Sequence, residues 1–241
     1  MAVTRSKMEK NLARIRADIA SACKRSGRDA DEVTLVAVTK SVDVETIRTA
    51  VDLGLTDLGE SRVQQLTERA EELNALLQRR RSEHPGSVRW HLVGHLQRNK
   101  IKAALAAAQV VHSIDSLRLA EDIDNRCERA DTVADVLLQV NCSQESQKHG
   151  VAVGAAVHLG ELMASMRHLK LLGLMTMAPI SDDPEKARAP FARLRELFEE
   201  MRHDKIGGQN FRHLSMGMSQ DYVVAVEEGA TMLRIGSALF T

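Results

Sequence analysis

Thr34-Leu35-Val36-Ala37-Val38-Thr39-Lys40 is the stretch on which the fold turns. Its four central residues are apolar in succession and leave no polar face. Strands read this way when they are covered on both sides, as in a parallel sheet. Val136-Leu137-Leu138 repeats the pattern further on. Working outward, eight strand candidates emerge: Thr34–Lys40, Asp57–Ser61, Arg89–Gly94, Val110–Asp115, Asp135–Asn141, Leu169–Met177, Phe211–Gly217 and Met232–Phe240. Helical stripes separate them. Val63, Leu66, Ala70, Leu73 and Leu77 recur at spacings of three and four, as do Ala187, Phe191, Leu194, Phe198 and Met201.

Ahead of the first strand, Met8, Leu12, Ile15, Ile19 and Cys23 form one apolar stripe over Thr4–Arg25, with Thr4 as cap and Gly27 as stop. Gly54 and Gly229 also read as helix stops, and Asp183-Pro184 as a cap and first turn. Pro190 obliges its helix to kink or to begin late. Eight strands alternating with helices predict an α/β fold, a single (β/α)8 TIM barrel of residues 1–241. A doubly wound open sheet, which needs fewer strands, is the alternative. The last strand runs nearly to the end of the sequence, so the N-terminal helix is expected to close the outer ring in place of an eighth helix.

The 241 residues carry 33 basic and 33 acidic side chains, which argues against a nucleic-acid backbone as partner. Aromatics at 2% argue against a platform for stacking bases. Cys23, Cys127 and Cys142 are odd in number and widely spaced, and read as buried free thiols of a reducing compartment. Met1–Leu12 is charged and lacks the apolar core of a signal peptide, and no run is long enough to span a membrane. The expected location is the cytoplasm.

Barrel enzymes place their chemistry at the C-terminal ends of the strands. There the first strand ends in Lys40, where apolar walls would favour the neutral, nucleophilic amine that a Schiff base requires. A surface lysine at a strand exit is an equally good reading of the spacing. The last two strands end in Leu214-Ser215-Met216-Gly217-Met218-Ser219 and Leu233-Arg234-Ile235-Gly236-Ser237. Small and hydroxylated residues at these two ends suit a phosphate, because backbone N–H groups can approach it and serine adds donors. Lysine plus a phosphate cup fits a phosphorylated carbonyl cofactor, pyridoxal 5′-phosphate (PLP).

The sequence resembles the YggS/PROSC family of pyridoxal-phosphate homeostasis proteins. The matching stretches are 35–40, Gly59-Glu60 with Arg62-Val63-Gln64, Trp90–Lys100, Val140-Asn141 with Glu145, Lys148 and Gly150, 173–179, 214–221 and 234–236. The resemblance covers the chain from residue 34 onward. It implies a fold-type III PLP barrel similar to the N-terminal barrel of alanine racemase, with Lys40 holding PLP as a Schiff base. It further implies that Ser215, Gly236 and Ser237 grip the phosphate and that Arg234 reaches the pyridine nitrogen. A guanidinium only donates, so it disfavours the pyridinium form and leaves the ring a weak electron sink. Ser61 stands where the family usually has Asn, which replaces an amide contact to the cofactor with a shorter hydroxyl. Ser237 replaces the usual Thr and keeps the hydroxyl, and Phe240-Thr241 stands where Gly is usual.

The implied function is a carrier that binds and exchanges PLP without strong catalysis of its own, as a monomer, with amino acids and PLP-dependent apoenzymes as partners. The alternative is a weak single-domain amino-acid racemase in which Lys40 and His91 share proton transfer. Racemases on this barrel use a tyrosine from a further domain as the second base, and Tyr222 is the one tyrosine here. A third reading is a sugar-phosphate barrel enzyme using Lys40 without PLP. His91 and His95 have the spacing of a zinc site but lie at a strand end with Leu92 between, so no metal is expected. Gln97, Asn99 and Lys100 read as caps of the next helix, and Arg79-Arg80-Arg81 as a solvated helix end. Met175, Met177, Met216 and Met218 either pack on the cofactor ring or fill the core.

Overall fold

A computed structural model describes residues 3–79, 87–143, 145 and 147–241. Its elements in chain order are α1 (Arg5–Arg25), β1 (Thr34–Val38), α2 (Val44–Asp52), β2 (Asp57–Glu60), α3 (Val63–Arg79) and β3 (Arg89–Leu92). There follow α4 (Ile101–Ala107), β4 (Val110–Ile114), α5 (Leu117–Glu128), β5 (Ala134–Asn141), β6 (Val151–Ala152) and α6 (Val153–Ser165). The remainder are β7 (Leu169–Met175), α7 (Arg188–His203), β8 (His213–Ser215), α8 (Tyr222–Glu227), β9 (Met232–Ile235) and α9 (Ser237–Phe240).

The strands pair in parallel in the order β1-β2-β3-β4-β5-β7-β8-β9, and β9 returns to β1. This closes the barrel and removes the open-sheet alternative. Each of the eight expected strands is present. The two-residue β6 was not expected; it extends the edge of β5 through Val140–Val151 pairing. Alternation along the strands sorts side chains into two layers. Outward residues such as Val111, Leu138 and Leu174 join the helices in the main core. Inward, Val110, Leu137, Leu172, Met175 and Met232 form a separate apolar cluster that fills one side of the barrel interior. The other side is polar, as described below.

The helical stripes behave as expected. Met8, Leu12, Ile15, Ile19 and Cys23 of α1 are buried, and the Thr4 hydroxyl accepts from Lys7 N–H. A 3-10 turn at Pro184–Ala187 precedes α7, which begins at Arg188. Pro190 therefore sits in the first turn, where its missing N–H would have no partner. Asp183 accepts from Glu185 N–H, as a cap should. Gln97 and Lys100 make no side-chain cap hydrogen bond, contrary to expectation. Arg80 and Arg81 lie outside the described residues.

The end of the sequence also departs from expectation. The last strand stops at Ile235, and Ser237–Phe240 forms a short helix with Leu239 and Phe240 buried. Four residues are too few for a helical period to show in the sequence. The N-terminal helix does close the ring there: α1 packs on α8 and α9. The Asn11 side chain donates to the carbonyls of Leu239 and Thr241. All three cysteines are buried and free, and burial pushes the Cys142 thiol up to about 11. No helix among the described residues is long and apolar enough to cross a membrane.

Candidate functional site

A cavity of about 570 Å³ opens at the C-terminal ends of the strands. Val38, Val93, Met177, Met218, Pro179 and Ile180 give it apolar walls. Five of the six expected site residues line it: Lys40, Ser61, Arg234, Gly236 and Ser237. They come from three different strand ends, those of β1, β2 and β9, and closure of the barrel brings them together.

Lys40 is exposed, which corrects the expectation of an amine pressed into apolar walls. The reason is local: β1 ends at Val38, so Lys40 lies in the turn beyond the rim. That turn is pinned from below. Arg69 of α3 donates to the carbonyls of Thr39 (2.7 Å) and Val42 (2.9 Å) and pairs with Glu60. Glu60 is fully buried and also accepts from the Thr39 hydroxyl. The Gly94 backbone packs so closely that a Cβ there would lie 2.1 Å from the Ser61 carbonyl, which fixes the neighbouring rim.

Arg234 is the opposite case, only 4% exposed. It donates to the Ser215 hydroxyl at 2.5 Å and to the Thr176 carbonyl at 2.8 Å. Burial lowers its pKa to about 10, still far above neutrality, so it remains a cation. Ser215 does not line the cavity. It is fully buried, its oxygen engaged by Arg234 and by His112 Nδ1 (2.8 Å), so it supports the guanidinium from beneath. The expectation that Ser215 faces a phosphate is corrected on that ground, since β8 ends at Ser215 and directs it into the barrel.

The hydroxyl that does face the cup is Ser219, which was quoted in the motif but not selected. Its oxygen accepts from the N–H groups of Gly236 (3.3 Å) and Ala238 (3.1 Å), joining the ends of β8 and β9. Asp221 accepts from Met218 N–H, and burial pushes its carboxyl up. Sequence reasoning also missed Glu60, Arg69 and His112. Glu60 follows Gly59 in a quoted motif; nothing in the sequence marks Arg69. Met177 and Met218 line the cavity, whereas Met175 and Met216 are fully buried.

The zinc-like pair is not formed. His91 is fully buried, bonded to Asp57 and His112, while His95 is exposed on the rim and bonded to Asp115 at 3.1 Å. Tyr222 is turned toward α1, where its hydroxyl donates to Asp18.

Chemically, the cavity offers an amine at its mouth, a guanidinium in its floor, serine hydroxyls at one end, and apolar walls. A flat, anionic molecule carrying a carbonyl fits this donor set.

Comparison with known proteins agrees with the geometry. The chain is 38% identical over 229 residues to the pyridoxal phosphate homeostasis protein of Aquifex aeolicus, covering 95% of each. A crystal structure of an unknown protein from Bifidobacterium adolescentis matches with a TM-score of 0.90 at 33% identity, covering 98% of this chain and 95% of that one. PipY of Synechococcus elongatus, solved with PLP bound, matches with a TM-score of 0.79 at 29% identity, covering 97% of this chain and all of the other. Residues 10–241 match the family described as alanine racemase, N-terminal domain. The chain belongs to this family, on the branch of the pyridoxal phosphate homeostasis proteins.

Proposed function

We propose that this chain binds PLP in the strand-end cavity and serves PLP homeostasis, holding the cofactor on Lys40 and giving it up to other acceptors. The observation that carries the reading is that Lys40, Arg234 and the Gly236-Ser237 turn line one cavity. The names of its relatives and the PLP-bound PipY structure support it.

When bound, the cofactor supplies an electrophilic aldehyde and an electron-withdrawing ring. Lys40 Nζ is the chain's amine at the cavity mouth and the group that would hold the aldehyde carbon. The Ser219 and Ser237 hydroxyls beside the Gly236-Ser237 turn form the anion end. Arg234 can only donate, so a ring nitrogen placed beside it would stay unprotonated and carbanion chemistry would be disfavoured. An exposed Lys40 also leaves the attachment open to competing amines, among them free amino acids. That accessibility suits a carrier more than a sealed catalytic site.

In this reading residues 1–241 act as one monomeric unit in the cytoplasm, with PLP-dependent apoenzymes as recipients. The racemase reading gains nothing from the geometry. His91, its suggested second proton carrier, lies inside the barrel, and Tyr222 is engaged by Asp18.

The test is borohydride reduction of the PLP-loaded protein followed by peptide mapping. A pyridoxyl label on Lys40, absent in Lys40→Ala, is expected; a label on another lysine overturns the assignment. Steady racemisation of free alanine that Lys40→Ala abolishes would favour the enzyme instead.

A further inference from the structure

Five side chains from five strands are joined inside the barrel by four hydrogen bonds in series. Asp57 Oδ1 of β2 lies 2.9 Å from His91 Nε2 of β3. His91 Nδ1 lies 2.8 Å from His112 Nε2 of β4. His112 Nδ1 lies 2.8 Å from Ser215 Oγ of β8, which accepts from Arg234 of β9 at 2.5 Å. His91, His112 and Ser215 are fully buried. Asp57 opens β2 and so lies at the N-terminal mouth, whereas Arg234 lines the cavity at the other end. The series therefore runs along the barrel, from one mouth to the site.

Its two ends fix its direction. Arg234 has no acceptor, so Ser215 Oγ receives its proton and has one hydroxyl hydrogen to pass on. An ionised Asp57 only accepts, so His91 must carry its proton on Nε2. A neutral His91 then presents a bare Nδ1, which requires Nε2–H on His112. His112 in turn presents a bare Nδ1 to the Ser215 hydroxyl. Every bond points the same way, from a buried cation to a carboxylate, and bonds so aligned polarise one another. The assignment requires both rings to be neutral. Burial works in that direction for both, and pushes the pKa of His112 well down. Arg89 of β3, Arg234 and His213 of β8 oppose a charge on His112, and Arg89 opposes one on His91; Asp57 favours a charge on His91.

We propose that Asp57, His91, His112 and Ser215 are positioning residues for the cofactor. Acting as one directional chain, they hold the Arg234 guanidinium in place and couple its charge to a carboxylate at the far mouth of the barrel. The proposal rests on the PLP reading for its consequence, but the direction of the chain can be measured without cofactor.

Long-range proton–nitrogen spectra of the imidazoles decide the direction in the ligand-free protein. His91 and His112 are expected as neutral Nε2–H tautomers at pH 7. A protonated His91, or a proton on Nδ1 of His112, overturns the chain. Coupling is then read in the PLP-loaded protein through the absorption spectrum and the dissociation constant of the bound cofactor. Asp57→Ala removes the terminal acceptor outside the cavity and is expected to shift the spectrum and weaken binding at least threefold. Asp57→Asn keeps an acceptor oxygen and should recover most of both. Asp135→Asn is the control: Asp135 sits near the same mouth, within ion-pair reach of Arg89 and Lys170 but outside the chain, and its loss should leave spectrum and affinity unchanged. Wild-type spectrum and affinity in Asp57→Ala, or an equal effect of Asp135→Asn, overturns the coupling. If borohydride labels no Lys40, the PLP reading fails, while the imidazole spectra still decide the chain.

Discussion

The barrel interior and its rim use polar residues in opposite ways. Inside, His91, His112, Ser215 and Arg234 are bonded to one another in sequence. On the rim, Lys40 and Ser237 are exposed. The two cations, Lys40 and Arg234, lie on or just beyond neighbouring strands and reach the same cavity, yet only one is buried. A few residues of depth make the difference. A polar group without water must find a partner inside the protein, because leaving it unpaired costs about 1–3 kcal/mol. A group on the rim keeps its solvation and remains available to a ligand. Interior polarity here is therefore satisfied within the barrel, and rim polarity is what the candidate cavity offers to a ligand.

Acid should break the interior first. His91, His112 and His213 are all pushed below the ordinary imidazole pKa by burial, His213 to about 4. Unfolded imidazoles take up protons as pH falls through about 6.5, and the folded ones do not. Stability is then fully present above that pH. It falls by about 1.4 kcal/mol per pH unit for each imidazole between 6.5 and its folded value. Urea unfolding midpoints measured from pH 7.5 to 5 check this; a flat profile would show the rings already charged or solvated.

Arg69→Met removes the partner of the buried Glu60 and the tie on the Thr39–Val42 turn. A loss of about 3 kcal/mol is expected, since a buried carboxylate is left uncompensated. Because the same turn carries Lys40, PLP affinity should fall as well. Arg234→Met leaves the Ser215 hydroxyl and Thr176 carbonyl without their donor, for about 2 kcal/mol, and thermal unfolding would show it.

The smallest effect belongs to the rim. Ser61→Asn restores the family's usual side chain at a half-buried cavity position. It should change stability by no more than about 0.5 kcal/mol and tighten PLP binding a few-fold, on the order of one hydrogen bond. A stability loss comparable to that of Arg234→Met would erase the distinction between rim and interior.

The contrast also explains what could be read in advance. Strands β1, β5 and β7 were legible because burial on both faces demands continuous apolar runs, and parallel barrels have no other solution. Lys40 and the Gly236-Ser237 turn were legible as cavity-lining candidates because barrel sites gather at strand ends, which a strand count locates, whereas Ser61 came forward only through the family resemblance. Arg69 was not, being one arginine among many on a helix. Its importance comes from a buried carboxylate on another element. Ser215 and Ser219 were legible as a motif but not as individuals. Which of two serines faces the cavity depends on the residue at which β8 stops.

The sequence by itself determined the barrel and the family and pointed to the strand-end cavity as the candidate site, because periodicity and motif spacing are properties of a linear chain. Tertiary structure alone decided that Lys40 is exposed, that Ser215 lies under Arg234, and that Asp57 is joined to the same guanidinium through two histidines. Those relations connect residues up to 177 positions apart, from Asp57 to Arg234. They exist only because β9 closes on β1 and leaves one side of the barrel interior to polar groups that must satisfy one another.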